Sequence, residues 1–220
     1  MNTTLTARRT LMPRLLLPCL AASALAVALL VGRSLMGARG YSFLLWNLWL
    51  AWIPYLAAIW AVQSTASRPR AVWTPLLAGA LWLLFLPNAP YLMTDFVHLP
   101  AMDFVWWYNI GTLLAFAWAG CLLGVASLHL MQGLVRERLG AAASWVFVLA
   151  AVALSGIGIY LGRFLRWNSW DVFTSPGALA AELLMVLTDP TAYPRLFGVS
   201  GLFGAFLLLG YITLEAARQK

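Results

Sequence analysis

Six stretches of this chain hold no Asp, Glu, Lys or Arg and are long enough to cross a bilayer: Leu15–Gly32, Gly40–Ser67, Ala71–Thr94, Phe104–Val135, Leu139–Gly162 and Leu196–Leu214. They contain 18, 28, 24, 32, 24 and 19 residues. A spanning helix needs about 20 mostly apolar residues, and a charge at its centre costs roughly 2.5–3.5 kcal/mol. The runs are apolar all round rather than alternating, unlike barrel strands. Lipid offers no partner to a bare backbone N–H or C=O, so the backbone there must be helical. The sequence predicts an all-α, polytopic membrane protein with six transmembrane helices. Composition agrees, with 63% of the 220 residues hydrophobic and 10% charged, against roughly 45–50% apolar and about 25% charged in soluble domains. A cytosolic enzyme, a disordered chain and a secreted disulfide scaffold are excluded. Cys19 and Cys121 both lie in apolar runs, with neither metal-ligand spacing nor a disulfide framework.

Residues 1–14 read as a cytoplasmic arm and 15–220 as a single helical membrane domain. The 14 Lys and Arg exceed the 7 Asp and Glu, for a net charge of +7. Nucleic acid is not the expected partner, because the arginines are scattered in twos and threes between apolar runs instead of gathering on one face. In a membrane protein such residues mark orientation and contact anionic lipid, so the bilayer is the expected partner. With the N-terminus inside, the cytoplasmic side holds nine basic residues: Arg8, Arg9, Arg14, Arg68, Arg70, Arg136, Arg138, Arg218 and Lys220. The other side holds five: Arg33, Arg39, Arg163, Arg166 and Arg195. That bias places both termini in the cytoplasm. The first run exceeds the ~7–15 residues of a signal-peptide core and reads as an uncleaved anchor. Pro18 before Cys19 does not suit a lipoprotein signal.

Trp46, Trp49 and Trp52, with Trp106, Trp107 and Tyr108, suit interfacial belts. Gly120/Gly124 and Gly158/Gly162 are small-residue pairs for close helix contact. Pro54 is expected to kink the second helix. Asn47 and Gln63 are expected to hydrogen-bond between helices. His129 reads as a plain interfacial histidine. No internal repeat is visible.

Polar residues gather in two turns. In the first, Pro87-Asn88-Ala89-Pro90-Tyr91-Leu92-Met93-Thr94-Asp95-Phe96-Val97-His98-Leu99-Pro100, followed by Asp103, there is no Lys or Arg. Its prolines must break the third helix, yet Leu92, Met93, Phe96 and Val97 keep it greasy. Broken backbone at the interface is tolerated only under cover of protein or beside a wet cavity. Asp95 and His98 are three apart and share a face. In the second turn, Gly162-Arg163-Phe164-Leu165-Arg166-Trp167-Asn168-Ser169-Trp170-Asp171, the two arginines are also three apart. The topology puts both turns on the outer face. The segments PNAPYLMTDFVHL and GRFLRWNSWD resemble a family of bacterial inner-membrane proteins called domain of unknown function 1361. The likeness runs from the third helix to the sixth. It implies a multi-pass protein of the bacterial cytoplasmic membrane and supplies no activity.

Each of these residues also has a plain structural use. Asp103 suits the N-cap of the fourth helix, and Arg163 and Arg166 suit the C-terminal dipole of the fifth. Asp171 suits a pair with one of those arginines. Asn88 satisfies broken backbone or contacts a ligand. Ser175-Pro176 opens a thirteen-residue segment ending at Thr188, only ~20 Å long and too short to span. Leu179, Leu183, Val186 and Leu187 form its stripe, opposite Glu182 and Asp189. It is expected to lie on the outer surface as an amphipathic helix, roofing the two turns.

Three functions are open. One is an interfacial site for an anionic, lipid-like or phosphate-bearing substrate. There Asp95 and His98 would be the acid–base pair, and Asn88, Arg163, Arg166, Asn168 and Asp171 the binding residues. Asp95, His98 and Asp103 are the candidate ligands should a metal be used, although Asp-x-x-His is a weak metal pattern. No cofactor is indicated by any motif. A second is a transporter of a neutral or small solute, since no ionisable group sits at mid-run to couple an ion. A third is a structural subunit of a membrane complex. Nucleotide-binding loops, nucleophile elbows and metalloprotease helices are absent from the sequence.

Overall fold

The computed structural model describes residues 2–38, 40–67, 72–99, 106–188 and 193–218, with no side-chain detail for 2–14, Leu187 and Arg218. Among these residues every regular element is helical: α1 (Asn2–Leu35), α2 (Phe43–Ser67), α3 (Trp73–Phe85), α4 (Asn88–Tyr91), a 3-10 helix (Leu92–His98), α5 (Trp106–Phe164), α6 (Asp171–Thr174), α7 (Pro176–Thr188) and α8 (Pro194–Arg218). Five apolar segments are long enough to cross a bilayer: Leu15–Leu35, Phe43–Ser67, Trp73–His98, Trp106–Phe164 and Pro194–Ala217. Large apolar side chains cover the outside, including Leu35, Trp73, Trp107 and Leu139. So much exposed hydrocarbon belongs in lipid rather than water.

The fourth and fifth uncharged runs are joined in α5, which has 59 residues. A straight helix of that length would measure almost 90 Å, about three times the hydrocarbon core. It is not straight, because Gly140 stands at φ 87° and ψ 175°, a conformation open essentially to glycine alone. The arms on either side fold back on one another. Gln132 Nε2 reaches Ser144 Oγ at 3.5 Å. Trp82 of α3 donates to Ser127 Oγ at 3.1 Å in one arm and stacks on Phe147 in the other, with centroids 5.4 Å apart.

Small residues let α4 lie against both arms. A Cβ on Gly120 would collide with the Ala89 carbonyl oxygen and come within 2.8 Å of Leu92 Cδ1. Gly124 faces Ala89 and Pro90, Gly158 faces Pro87, and Gly162 faces the Tyr91 ring. The two glycine pairs thus make a cradle for the proline-broken segment and are not simply a seam between two long helices. α2 runs on through Pro54, which is buried. Trp46 and Trp49 face outward, but Trp52 turns inward and donates to Ser23 Oγ of α1 at 3.2 Å. Gln63, expected to join two helices, makes no such bond among the described residues. It is exposed, on the far side of α2 from buried Ala61 and Val62. Arg33, at the end of α1, is buried rather than left in a loop. Its Nε donates to Asn109 Oδ1 at 2.7 Å, its Nη1 to the Ala38 carbonyl at 2.8 Å, and its guanidinium lies 4.0 Å above the Tyr41 ring.

Candidate functional site

The proline break sets the site. Pro87 and Pro90 bring no N–H, so carbonyls of the preceding turn need other donors. Ala89 N–H takes the Leu86 carbonyl at 3.1 Å. Asn88 Nδ2 donates to the Phe85 carbonyl at 3.0 Å, and Ser169 Oγ donates to that of Leu84 at 3.2 Å. Asn88 Nδ2 also donates to Ser169 Oγ at 3.0 Å. A residue of the second turn therefore completes the backbone of the first. Past Tyr91 the chain tightens into the 3-10 helix instead of opening into a loop.

Arg163 makes the second junction. Its Nε donates to Thr94 Oγ1 at 2.8 Å, and its Nη2 contacts both Thr94 and the Asp95 carboxylate. The guanidinium sits 4.3 Å above the Tyr91 ring. The other carboxylate oxygen of Asp95 accepts from Asn47 Nδ2 of α2 at 3.0 Å. Asp95 is only 1% exposed. The two turns touch, and three helical segments are clasped by one ion pair.

The remaining candidates fall elsewhere. His98 does not pair with Asp95 by a hydrogen bond among the described residues. It is exposed and its ring leans on Phe43, centroids 4.8 Å apart. Arg166 does not join Arg163, because α5 ends at Phe164 and Arg166 takes φ 61° in the left-handed region, exposed. Asp171 pairs with neither arginine. It accepts from the backbone N–H of Asn168 at 2.7 Å, from Asn168 Nδ2 at 3.3 Å and from Thr174 Oγ1 at 3.0 Å. The Asn168 amide foremost, with the Thr174 hydroxyl and Asn168 side chain, holds this carboxyl below the ordinary range. No three His, Cys, Asp or Glu residues among those described gather closely enough to hold a metal ion. Asp103, a candidate ligand or N-cap, lies outside the described residues, as do Pro100 and Asp189.

Between α2, α3, α4, the second arm of α5 and α7 lies a cavity of about 340 Å³, in the lower range for a small-molecule site. Trp46, Trp167, Trp170, Leu161, Leu179 and Leu183 supply much of its wall, and Asn47, Asn88, Asn168 and Ser169 supply its polar groups. Neither Asp95 nor Arg163 lines it. α7 closes one side through Leu179 and Leu183. Glu182, expected on the opposite face, accepts a hydrogen bond from Trp167 Nε1 at 2.6 Å and ties α7 to the second turn.

Sequence reasoning missed several of these partners. Asn47 bonds to another helix as expected, but Thr94 and Ser169 sit in runs where one polar residue looks like any other, and only the fold shows what they face. A second cluster also went unseen. Near the Gly140 bend, the Nδ1 of His129 meets Glu215 of α8, and the Tyr211 hydroxyl bonds Gln132. His129 is thus a cross-helix partner and not a plain interfacial residue.

Fold and site together define a multi-pass helical membrane protein with a polar clasp and a cavity beside it. The chain belongs to the family described as protein of unknown function (DUF1361), whose model matches residues 46–209 and so takes in most of α2 as well as both turns. No curated protein and no solved structure matches the chain.

Proposed function

We propose that this is a six-span protein of the bacterial cytoplasmic membrane, with both termini in the cytoplasm, that binds an amphiphile at its outer face. Six spans follow if each arm of α5 crosses once, as their fold-back at Gly140 favours. The orientation rests on the nine-to-five excess of basic residues. On this reading the two turns lie at the outer interface, and α7 rests on that surface over them.

The observation that carries the binding function is the cavity. It is largely hydrocarbon-lined, with four neutral polar side chains converging on it, and both turns contribute to its wall. Such a mix suits a ligand with an apolar body and a small polar end. Asp95 and Arg163 serve as the clasp that shapes this site rather than as acid–base groups, since the carboxylate already has two protein partners.

Leu183→Trp tests the reading, because an indole at that wall fills the cavity without touching the clasp. Lipids retained by wild-type and variant protein after extraction in mild detergent are compared by native mass spectrometry. Wild type should keep a stoichiometric amphiphile that Leu183→Trp loses. Equal retention by the two proteins refutes the cavity as the site.

A further inference from the structure

The three asparagines of the cavity share one orientation, and it dictates what they can bind. Asn47 Nδ2 donates to the Asp95 carboxylate at 3.0 Å, Asn88 Nδ2 to the Phe85 carbonyl at 3.0 Å, and Asn168 Nδ2 to the Asp171 carboxylate at 3.3 Å. Each of these partners can only accept. An amide turned end for end would set oxygen against oxygen, so the assignment of N and O follows from the chemistry. Each amide therefore spends at least one N–H on protein, Asn88 both of its own, and keeps a carbonyl oxygen to offer. Ser169 has no hydrogen left either, since it donates to Leu84 and accepts from Asn88. The three amides thus each keep an acceptor, while Trp46, Trp170 and Tyr91 of the wall also carry N–H or O–H groups.

Charge narrows the choice further. Among the described residues, no acidic or basic side chain lines the cavity. Of the ions nearby, Arg163 pairs with Asp95, Glu182 with the Trp167 indole and Asp171 with Asn168 and Thr174, and Arg166 does not line the cavity. An anionic head would meet no cation in this wall and an ammonium no carboxylate, so either would be an uncompensated charge beside hydrocarbon. A hydroxyl head has the donors these oxygens lack and carries no charge.

We infer that the cavity takes a neutral, hydroxyl-bearing amphiphile, its hydroxyls donating to the carbonyl oxygens of Asn47, Asn88 and Asn168. The inference rests on the amphiphile reading above and names its head group. It replaces the phosphate-bearing ligand that the two arginines suggest in sequence.

The test uses full-length protein in mild detergent and three probes sharing a lauryl chain: glycerol monolaurate, laurylammonium and lauryl phosphate. Affinities are read by native mass spectrometry and by displacement of the monolaurate. Glycerol monolaurate should bind about tenfold more tightly than either charged probe, because either charge would sit unpaired beside hydrocarbon. Asn168→Ala, at the exposed rim, should weaken the monolaurate about threefold to tenfold and leave lauryl phosphate unchanged. Lauryl phosphate binding as tightly as monolaurate overturns the donor-head assignment. Laurylammonium binding most tightly overturns its neutrality. Should no lauryl probe prefer wild type over Leu183→Trp, the cavity reading itself falls, and the head-group question with it.

Discussion

Replacing Arg163 by methionine removes the cation from a carboxylate that is 1% exposed. The Thr94 bonds and the contact with the Tyr91 ring go with it. Truncating one member of a buried ion pair leaves the other charge uncompensated and costs about 3–5 kcal/mol. Asp95 keeps Asn47, and among the described residues no second Lys or Arg bonds its carboxylate. Asp95→Asn strands the guanidinium instead. Arg163 is 16% exposed and partly reached by water or lipid head groups, so this loss should be smaller, about 2–3 kcal/mol. In the double variant neither charge remains, and the new amide can bond Asn47 and Thr94. Its loss should be well below the sum of the singles, with a coupling of about 2 kcal/mol or more. Unfolding in mixed detergent micelles, followed by tryptophan fluorescence, measures all three. If the double variant loses the sum of the two singles within about 0.5 kcal/mol, the pair is not coupled and the clasp is an accident of proximity.

Gly120→Ala should lower the melting temperature through about 1–3 kcal/mol of overpacking against Ala89. Gly111→Ala, where an added Cβ meets nothing within 4 Å, should be neutral or stabilising by up to about 1 kcal/mol, and a thermal-shift comparison in detergent decides between them. Gly140→Ala should cost about 1–3 kcal/mol, because alanine does not tolerate the backbone at the bend. Arg166→Gly should raise stability by about 1 kcal/mol, since glycine relieves the left-handed strain at φ 61°. If that variant also loses bound amphiphile, Arg166 belongs to the site after all. The Asp171 carboxyl is held below its ordinary range, so its bonds to Asn168 and Thr174 persist from neutral pH down past the ordinary carboxylate value of about 3.9. They fail only as pH falls through its own lower value. Amide exchange at Asn168, corrected for intrinsic rates, should show protection across that window, and Asp171→Asn should abolish its pH dependence.

Uncharged runs of about 20 residues leave the backbone one choice in lipid, a helix, so fold class and most helix positions were legible before any coordinates. The two turns also stood out, because ionisable residues among greasy ones are costly and rarely idle. The fourth and fifth runs are two helices, but they did not reveal the sharp bend at Gly140 that folds one on the other, since a bend made at one glycine leaves no mark in hydropathy. They also left open which polar group faces which. Asp95 and His98 share a period, as do Arg163 and Arg166, yet only one of each pair enters the clasp. The 3-10 winding after Tyr91 turns His98 toward Phe43, and the helix end at Phe164 carries Arg166 away.

What the sequence determined alone was a matter of solvent: which segments must hide from water, and therefore how the chain is wound. What tertiary structure decided was a matter of partners. A carbonyl of the proline-broken helix, that of Leu84, takes a hydroxyl from a residue 85 positions away, and a carboxylate finds its arginine 68 positions on. Those pairings depend on distances between helices, which local composition does not encode.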